Sequence, residues 1–349
     1  MPKVTVLITD DSVTMRALIK SVLLRDKDIE VIGEAGDPYE AREKIKELNP
    51  DVLLLDIEMP KMSGIAFLEK VMTLRPMPVV MLAGSTKRGA KDTIEALSLG
   101  AFECIEKPKS GDYVAGLSGL ASILKAAARH STPKASQKTS APSKPSISNY
   151  SPNKSVIGIG SSTGGVEALL QVLSAFPKNC PPTIITQHMP KTFLVSFADR
   201  LNRTIAPEVQ IAKDGELMKL GNVYLAPGGE THLEIGGRTQ FRCLLKASDP
   251  VSGHRPSVDV MFSSMAKAAK HRSIGVILTG LGRDGARGLL EMRGAGARTV
   301  GQDEDSCIVY GMPKVAYNIG AVENQVALDK IGQLILEMSC ENHASNVAR

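Results

Sequence analysis

The sequence predicts two doubly wound α/β domains, each built on a parallel sheet, joined by a flexible linker. In the N-terminal third of the chain, short apolar runs alternate with helical patterns. The same alternation returns after a segment rich in Ser, Pro and Lys. Near-continuous Val, Ile and Leu runs are typical of parallel strands covered by helices on both faces.

Five apolar runs indicate the strands of the first domain: VTVLIT from Val4, IEVIGEA from Ile29, VLLLD from Val52, VVML from Val79 and FECIE from Phe102. Four more indicate strands of the second: SVIGIG from Ser155, PTIITQ from Pro182, SIGVILTG from Ser273 and RTVGQD from Arg298. A β-hairpin insertion is predicted where HLEIGG and TQFRCLL meet. Gly236 and Gly237 would form its two-residue turn.

Residues 129–153 form the predicted linker. The sequence HSTPKASQKTSAPSKPSISNYSPNK from His130 has almost no large aliphatic side chains. Such a segment buries too little apolar surface to offset the entropy cost of ordering. We therefore expect a first domain at residues 1–128 and a second at residues 154–345.

Charge and cysteine content exclude several function classes. The formal net charge is +5, and residues 129–154 alone carry five basic residues and no acid, so a basic face for nucleic acid is not indicated. The five cysteines are far apart and contain no C-x-x-C pair, which favours reduced thiols over a zinc or redox site. Without a long apolar run or a signal-peptide pattern, we expect a cytoplasmic protein that does not insert into membranes.

Acidic side chains follow two strands of the first domain. Asp10 and Asp11 follow the first strand, Asp56 ends the third, and Lys107 follows the fifth. Functional sites of open α/β sheets form beyond the carboxyl ends of the strands. Acids gathered there repel one another unless a cation such as Mg²⁺ binds them. Asp56 is therefore predicted to accept a phosphoryl group, with Asp10 and Asp11 as metal ligands and Lys107 as the phosphate partner. Capping of the helix near Ser12 is the alternative for the two adjacent acids.

Residues 3–126 resemble the receiver domain of two-component response regulators, which has a flavodoxin-like fold. The resemblance rests on the acid pair after the first strand, the run LLLDIEMPKMSG around Asp56, and the Lys107-Pro108 pair. It implies that Asp56 is also a metal ligand and that Mg²⁺ takes the backbone carbonyl of Glu58.

One position departs from the receiver pattern. Ala83 stands where receivers usually carry a Ser or Thr that contacts the phosphoryl group. Ser85 and Thr86, just beyond it, are the candidates to replace that hydroxyl.

A glycine-rich turn opens the second domain. Gly160, Ser162 and Gly164 have the G-x-S-x-G spacing of a nucleophile elbow, and a helical run follows directly. At a helix N-terminus, backbone N–H groups and the helix dipole stabilise an oxyanion beside Ser162. The alternative is a dinucleotide loop, because Gly158 makes the glycine pattern similar to that fingerprint. No acid for a ribose follows the next strand, and no P-loop Lys follows the glycines.

His188 and Asp284 are the predicted partners of Ser162. His188 follows the neighbouring strand, at the sheet edge where it can accept the hydroxyl proton. Asp284 lies in the loop GVILTGLGRDGARG and is the candidate to orient the imidazole. Each has a structural alternative: a histidine at a strand end is more often structural, and Asp284 can cap the helix ARGLLEMRGAG.

Five separated motifs follow one another in the second domain: GSSTGG, QHMP, HRPSVDVMF, LTGLGRDGA and QDEDSCIVYGMP. Through these motifs, residues 154–340 resemble the chemotaxis protein-glutamate methylesterase domain, a Rossmann-like hydrolase. The resemblance implies a catalytic triad of Ser162, His188 and Asp284, and the backbone N–H of Thr163 suits the oxyanion hole. It also implies metal-free hydrolysis of glutamate methyl esters on methyl-accepting chemotaxis receptors, with deamidation of receptor glutamines.

The two resemblances together span nearly the whole chain. They imply that a chemotaxis histidine kinase supplies the phosphoryl group, and that the unphosphorylated receiver covers the active site. Nothing in the sequence demands more than a monomer, so we expect one.

A second pair of residues competes for the catalytic role. His254 is an alternative base and Asp259 its alternative orienting acid. The pair is less favoured, because Pro256 and Ser257 read as the start of a helix and Asp259 as an acid in its first turn. Arg255 is a candidate contact for an acidic receptor surface. A different function class also remains: a response regulator whose second domain binds a ligand or nucleic acid without catalysis.

Overall fold

The computed structural model describes residues 2–108, 116–117, 119–130 and 150–341. They form two units, one before and one after the predicted linker. Residues 131–149 of that linker lie outside the described residues. At its predicted ends, Arg129 is the last residue of a helix, and the Asn153 N–H donates to the carbonyl of Ser339 at 2.8 Å.

The first unit is a five-stranded parallel sheet in the order β2-β1-β3-β4-β5. Its strands are β1 (Val4–Thr9), β2 (Ile29–Ala35), β3 (Val52–Asp56), β4 (Val79–Ala83) and β5 (Glu103–Glu106). The described helices around it are α1 (Val13–Leu23), α2 (Pro38–Leu48), α3 (Gly64–Leu74), α4 (Lys87–Ser98) and α5 (Leu120–Arg129). The central strands β3 and β4 are buried along their whole length, as expected of a sheet covered on both faces.

The second unit is a seven-stranded parallel sheet in the order β14-β13-β12-β6-β7-β9-β8. Its strands are β6 (Val156–Ser161), β7 (Thr183–Gln187), β8 (Glu208–Ile211), β9 (Asn222–Leu225), β12 (Ser273–Ile277), β13 (Arg298–Gln302) and β14 (Asn324–Val326). Its helices are α6 (Gly165–Ser174), α7 (Lys191–Thr204), α8 (Val258–Ala268), α9 (Ala286–Gly294), α10 (Met312–Asn318) and α11 (Leu328–Met338). The two predicted doubly wound α/β folds are thus confirmed.

The predicted hairpin is present, but its turn is longer than we expected. Strands β10 (Thr231–Gly236) and β11 (Arg242–Ala247) pair antiparallel, with Gly236 opposite Arg242. Residues 237–241 therefore form the connection, and the prediction of a two-residue turn at Gly236 and Gly237 was wrong. The Phe241 side chain is buried in the core, so the chain runs further before it turns back into the ladder.

Strand order explains where the second unit forms a site. From β6 the chain moves to β7 on one side and later returns to β12 on the other. Ser161 is level with Gln187 of β7, and Gly160 is level with Ile277 of β12. The loops after these three strands therefore meet at one sheet edge, the usual position of a site in this architecture. Within the described ranges, no helix combines the length and apolarity needed to cross a bilayer.

Candidate active site

The turn that contains Ser162, the predicted nucleophile, directly follows β6. The Ser162 N–H donates to the Thr279 carbonyl at 3.0 Å, and the Gly165 N–H donates back to the Ser162 carbonyl at 2.8 Å. Between them, Gly164 takes a left-handed backbone with φ of 77°. A side chain there would also press on Ile308, because an added Cβ would lie 2.7 Å from its Cβ. Gly164 therefore carries the sharp strand-to-helix turn, and the backbone of Ser162 stays out of the left-handed region.

Two backbone donors of this turn are available for an anion. In the described chain, the N–H groups of Thr163 and Gly164 donate to no protein atom. The carbonyl of Thr163 is fixed, because it accepts a hydrogen bond from the Thr279 hydroxyl at 3.0 Å. The donors sit at the N-terminus of α6, where the helix dipole favours negative charge. This is the arrangement that an oxyanion hole requires.

His188 and Asp284 form a direct pair. Nε2 of His188 lies 2.8 Å from Oδ2 of Asp284, and both side chains are almost completely buried. The other ring nitrogen, Nδ1, is buried and has no hydrogen-bond partner in the described chain. The His188 N–H donates to the Ser161 carbonyl at 3.1 Å, which ties the histidine loop to the residue before Ser162. Nδ1 is thus the ring atom left to exchange a proton with a substrate or nucleophile.

Asp284 accepts hydrogen bonds from the start of α8. Its Oδ2 accepts from the Val258 N–H at 2.7 Å, while Oδ1 accepts from the Ser257 hydroxyl at 2.7 Å and the Asp259 N–H at 3.0 Å. Burial favours the neutral acid, but the hydrogen bond and charge of His188 and the hydrogen bond from Ser257 outweigh it and lower the pKa of Asp284. Asp284 is therefore held as a carboxylate. Asp284 bonds to the first N–H groups of α8. The alternative prediction was that Asp284 caps α9, but α9 begins after Gly285 and has no side-chain cap.

A buried amide links the turn of Ser162 to the loop of His188. Nε2 of Gln187 donates to the Ser162 carbonyl at 2.9 Å and to the His188 carbonyl at 3.1 Å. Its Oε1 accepts from the Ser161 hydroxyl at 2.6 Å. These contacts fix the backbone on both sides of the proposed proton transfer. Sequence reasoning quoted Gln187 only as the residue before His188 and gave it no role.

His254 lies against His188, but it does not form the competing pair. The two imidazole rings are stacked, with centroids 3.7 Å apart and planes 7° from parallel. Asp259 is engaged elsewhere: its Oδ1 accepts from the Gly288 N–H at 2.9 Å and its Oδ2 from the Ser252 hydroxyl at 3.3 Å. No hydrogen bond joins Asp259 to His254 in the described residues, so this alternative acid and base are not assembled.

Arg255 and His232 have structural contacts that the sequence did not indicate. Arg255 donates to the carbonyls of Gly229 and Ser248, both at 3.0 Å, so two of its donors are already used within the protein. Nδ1 of the fully buried His232 accepts from the Ser257 N–H at 3.0 Å. Because the Ser257 hydroxyl donates to Asp284, His232 supports the acid through one intermediate residue.

The glycines that resemble a dinucleotide fingerprint have a packing role. A side chain at Gly158 would overlap Met265, and one at Gly160 would overlap Val258, both on α8. Glycine at these two positions lets α8 lie against β6 and brings its N-terminus to Asp284. The glycine pattern is thus explained by helix packing without a nucleotide.

In the first unit, the predicted acids meet at the ends of β1 and β3. One carboxylate oxygen from each of Asp10, Asp11 and Asp56 lies within 4.8 Å of the others. Nζ of Lys107 lies 2.8 Å from Oδ2 of Asp10 and 2.7 Å from Oδ2 of Asp56. Burial raises the pKa of Asp56 to about 6, and the charge of Lys107 only partly offsets this rise. At Lys107, burial lowers the pKa, but the charge of Asp56 and the hydrogen bonds to Asp10 and Asp56 together outweigh burial, so the pKa of Lys107 is raised.

These residues fit a divalent cation. Among the described residues, Oδ1 of Asp56 is buried and accepts no well-formed hydrogen bond. Three carboxylates gather there, and Lys107 pairs with those of Asp10 and Asp56. Mg²⁺ prefers oxygen ligands and usually keeps several waters, which the exposed Asp11 allows. The carbonyl of Glu58 as a further ligand stays a prediction. Asp10 also accepts the Ser12 N–H at 2.9 Å, but it is Ser12 that caps α1.

Beyond β4, the structure distinguishes the two candidate hydroxyls. Ala83 is buried at the end of β4, and its carbonyl accepts the Lys107 N–H at 2.8 Å. Oγ1 of Thr86 caps α4 by accepting the Gly89 N–H at 2.9 Å. The half-buried Ser85 hydroxyl makes no hydrogen bond to the described protein atoms. Of the two residues, Ser85 is therefore the one whose hydroxyl is available.

Comparison with known proteins agrees with this geometry. Residues 157–335 match the CheB methylesterase family, and residues 6–115 match the response regulator receiver domain. A protein-glutamate methylesterase/protein-glutamine glutaminase 1 of Caulobacter vibrioides is 57% identical over 344 residues, which is 97% of this chain and 99% of the relative. The chain belongs to the CheB methylesterase family.

Other members of the family extend the match. The protein-glutamate methylesterase/protein-glutamine glutaminase of Agrobacterium fabrum is 56% identical over 338 residues, covering 96% of each chain. The crystal structure of the Thermotoga maritima CheB methylesterase catalytic domain superposes with a TM-score of 0.52 at 36% identity. It covers 53% of this chain and 99% of that domain. Both resemblances predicted from the sequence are therefore confirmed at the level of the family.

Proposed function

We propose that this CheB-family protein hydrolyses glutamate methyl esters on methyl-accepting chemotaxis receptors, with methanol and glutamate as products. The observation that carries the proposal is the buried His188–Asp284 pair beside a turn whose Thr163 and Gly164 N–H groups bond to no atom of the described residues. Ser162 lies in that turn at the edge of the same sheet. The curated relatives, named as methylesterases and glutaminases, support this substrate class.

The first half of the reaction forms an acyl-enzyme. Ser162 Oγ attacks the ester carbonyl while its proton passes to Nδ1 of His188, since Nε2 is bonded to Asp284. Thr163 and Gly164 donate to the oxyanion that develops. When the carbon–oxygen bond to the methoxy group breaks, His188 returns the proton and methanol leaves.

The second half releases glutamate. A water molecule transfers a proton to His188 and attacks the acyl carbon, and the Ser162 oxygen then leaves with that proton. A glutamine amide follows the same route with ammonia as the leaving group, which makes receptor deamidation a parallel activity. Asp284 stays ionised throughout and stabilises the imidazolium.

The receiver half would regulate this hydrolase. A chemotaxis histidine kinase is the proposed phosphodonor, and Asp56 attacks the phosphorus while the phosphorus bond to the donor breaks. Asp10, Asp11 and Asp56 would hold Mg²⁺, which when bound neutralises charge on the transferred group. Lys107 lies against Asp10 and Asp56 and would pair with the new phosphoryl oxygens. Phosphorylation adds close to two negative charges, enough to shift a two-state control element.

Methanol release from methylated receptor fragments tests the proposal. The full-length protein should release methanol, acetyl phosphate with Mg²⁺ should increase the rate, and Ser162→Ala should abolish it. Ser174→Ala, which removes a helix-end hydroxyl away from the turn, is the matched control. Undiminished release by Ser162→Ala would refute the serine mechanism. No release by the wild type would favour a second domain that binds without catalysis.

A further inference from the structure

His254 is the nearest aromatic neighbour of the proposed base, and the mechanism above does not use it. Its imidazole covers one face of the His188 ring, with centroids 3.7 Å apart and planes 7° from parallel. Its ring nitrogens make no hydrogen bond to a protein atom in the described part of the chain. The contact between the two histidines is therefore a ring-to-ring contact.

A fixed turn presents the His254 ring. Val251 and His254 exchange both backbone hydrogen bonds at 3.0 Å, and the two residues between them, Ser252 and Gly253, have left-handed backbones. A left-handed conformation is unfavourable for serine and persists only where the surroundings hold it. The Ser252 hydroxyl donates to Asp259 at 3.3 Å, which anchors the turn to α8.

The residue after His254 anchors the turn from the other side. Arg255 donates through Nε to the Gly229 carbonyl and through a terminal nitrogen to the Ser248 carbonyl, each at 3.0 Å. The turn is thus held at both ends, although its tip is exposed. Such a construction limits the freedom of the His254 ring to move away from His188.

We propose that His254 is a positioning residue for the base: its neutral ring, stacked on His188, fixes the imidazole plane and stabilises the imidazolium that forms when Ser162 loses its proton. The bond to Asp284 fixes Nε2, but a single hydrogen bond leaves the ring free to tilt about it. Stacking removes that tilt and so fixes the direction in which Nδ1 points. A positive charge over an aromatic face is also attracted by it, and the charge exists only after proton transfer.

His254 remains uncharged at neutral pH, as this role requires. Burial and the neighbouring His188 lower the pKa of His254 to about 4, although Asp284 opposes the shift. A charged His254 would repel the imidazolium. The lowered pKa also makes His254 a weak base, and no carboxylate of the described residues forms a hydrogen bond with its ring.

The proposal rests on the proposed function, so its test uses a probe that does not depend on receptors. A fluorophosphonate reacts with an activated serine: the Ser162 oxygen–phosphorus bond forms, the phosphorus–fluorine bond breaks, fluoride leaves, and His188 takes the proton. The rate of labelling of full-length protein at pH 7.5 thus reports base-assisted attack alone. His188→Ala sets the rate without the base.

His254→Ala should label about tenfold more slowly than the wild type, given the usual strength of a cation over an aromatic ring. His254→Phe keeps a stacking ring and should recover most of the rate. On methylated receptor fragments, His254→Ala should lower kcat and leave KM unchanged. His271→Ala, at an exposed histidine of the same unit, is the matched control and should label normally.

The outcomes separate the two proposals. If the wild type is not labelled, the serine hydrolase assignment itself fails. If the wild type is labelled and His254→Ala matches it, positioning by His254 is wrong while the hydrolase stands. Stacking would also be refuted as the cause if folded His254→Phe were labelled as slowly as His254→Ala while His254→Gln, which has no aromatic ring, were labelled at nearly the wild-type rate. Thermal unfolding midpoints of all variants verify that each is folded.

Discussion

Gln187 bonds to the backbone of Ser162: its Nε2 donates to the Ser162 carbonyl at 2.9 Å. The same nitrogen lies 3.1 Å from the His188 carbonyl, so one buried amide holds together the backbones of the proposed nucleophile and the proposed base. Replacing Gln187 should therefore lower the activity by more than the loss of folding stability alone would cause.

Gln187→Leu should slow labelling of Ser162 by a fluorophosphonate at least tenfold and lower the free energy of unfolding by about 1–3 kcal/mol, because it leaves buried carbonyls and the Ser161 hydroxyl unpaired. Chemical denaturation and labelling rates measure the two effects. Gln333→Leu, on the exposed side of α11, is the control. Labelling at the wild-type rate would mean that the amide does not set the geometry.

Asp284→Asn should reduce ester hydrolysis about 10³- to 10⁴-fold. An amide can present only one oxygen to donors that now bond to both, and its NH₂ group would face one of them. The variant should also unfold more easily, which denaturant titration would show. Asp329→Asn, in the first turn of α11, should change neither property. Hydrolysis within tenfold of wild type would exclude Asp284 from the triad.

The pH dependence of folding stability should reveal the lowered pKa of His254. Its pKa is about 4 in the folded protein against 6.5 ordinarily, so between these values the unfolded chain binds the proton and the folded protein does not. The contribution of His254 to stability should therefore fall as the pH drops from 7 towards 4, by up to about 3 kcal/mol, whereas the raised pKa values of Asp56 and Asp259 act in the opposite direction. His254→Phe has no such proton and should lose less stability over the same range. Equal losses in both proteins would contradict the shifted pKa.

Metal binding should stabilise the receiver through its acids. Mg²⁺ should raise the thermal unfolding midpoint of the wild type relative to EDTA, and Asp56→Asn should greatly reduce that response while abolishing activation by acetyl phosphate. In EDTA, Asp56→Asn should be at least as stable as wild type, because one of three crowded carboxylates is neutralised. Undiminished activation of the variant would exclude Asp56 as the acceptor.

Gly160→Ala should disturb α8 and with it Asp284. The added methyl group would overlap Val258, so we expect a loss of about 1–3 kcal/mol in stability and a marked loss of activity. Gly294→Ala is a matched control in the same unit, because no atom lies within 4 Å of the added carbon. Calorimetry measures the thermal unfolding midpoints of the two variants, and fluorophosphonate labelling measures the reactivity of Ser162 in each. Equal midpoints for the two variants would show that Gly160 is not needed for close packing.

The sequence predicted the strands that alternate regularly with helices and missed β8, β9 and β14. VLLLD and VVML are apolar runs, and the four-residue β5 within FECIE is in its expected place after a helix. The missed strands have four, four and three residues, and β8 and β9 follow each other without a helix between them. A strand that is short and outside the alternation gives little signal in the sequence.

Site prediction shows a similar division. Ser162, His188 and Asp284 each follow a strand, so strand order alone brings them to one edge, although their catalytic roles stay predictions. The stacking of His254 and the bonds of Gln187 depend on side-chain directions between segments far apart in sequence. Only the hairpin turn was misjudged from local chemistry, because burial of Phe241 outweighed the Gly-Gly preference.

In the proposed mechanism, Asp284 joins catalysis to folding, because its partners are the first N–H groups of α8 as well as His188. A chain in which the start of α8 has frayed loses the donors that keep this acid ionised and oriented. Under the proposed mechanism, such a partly folded molecule should not activate Ser162. The time at which Ser162 becomes reactive during refolding would accordingly show when the start of α8 docks against Asp284.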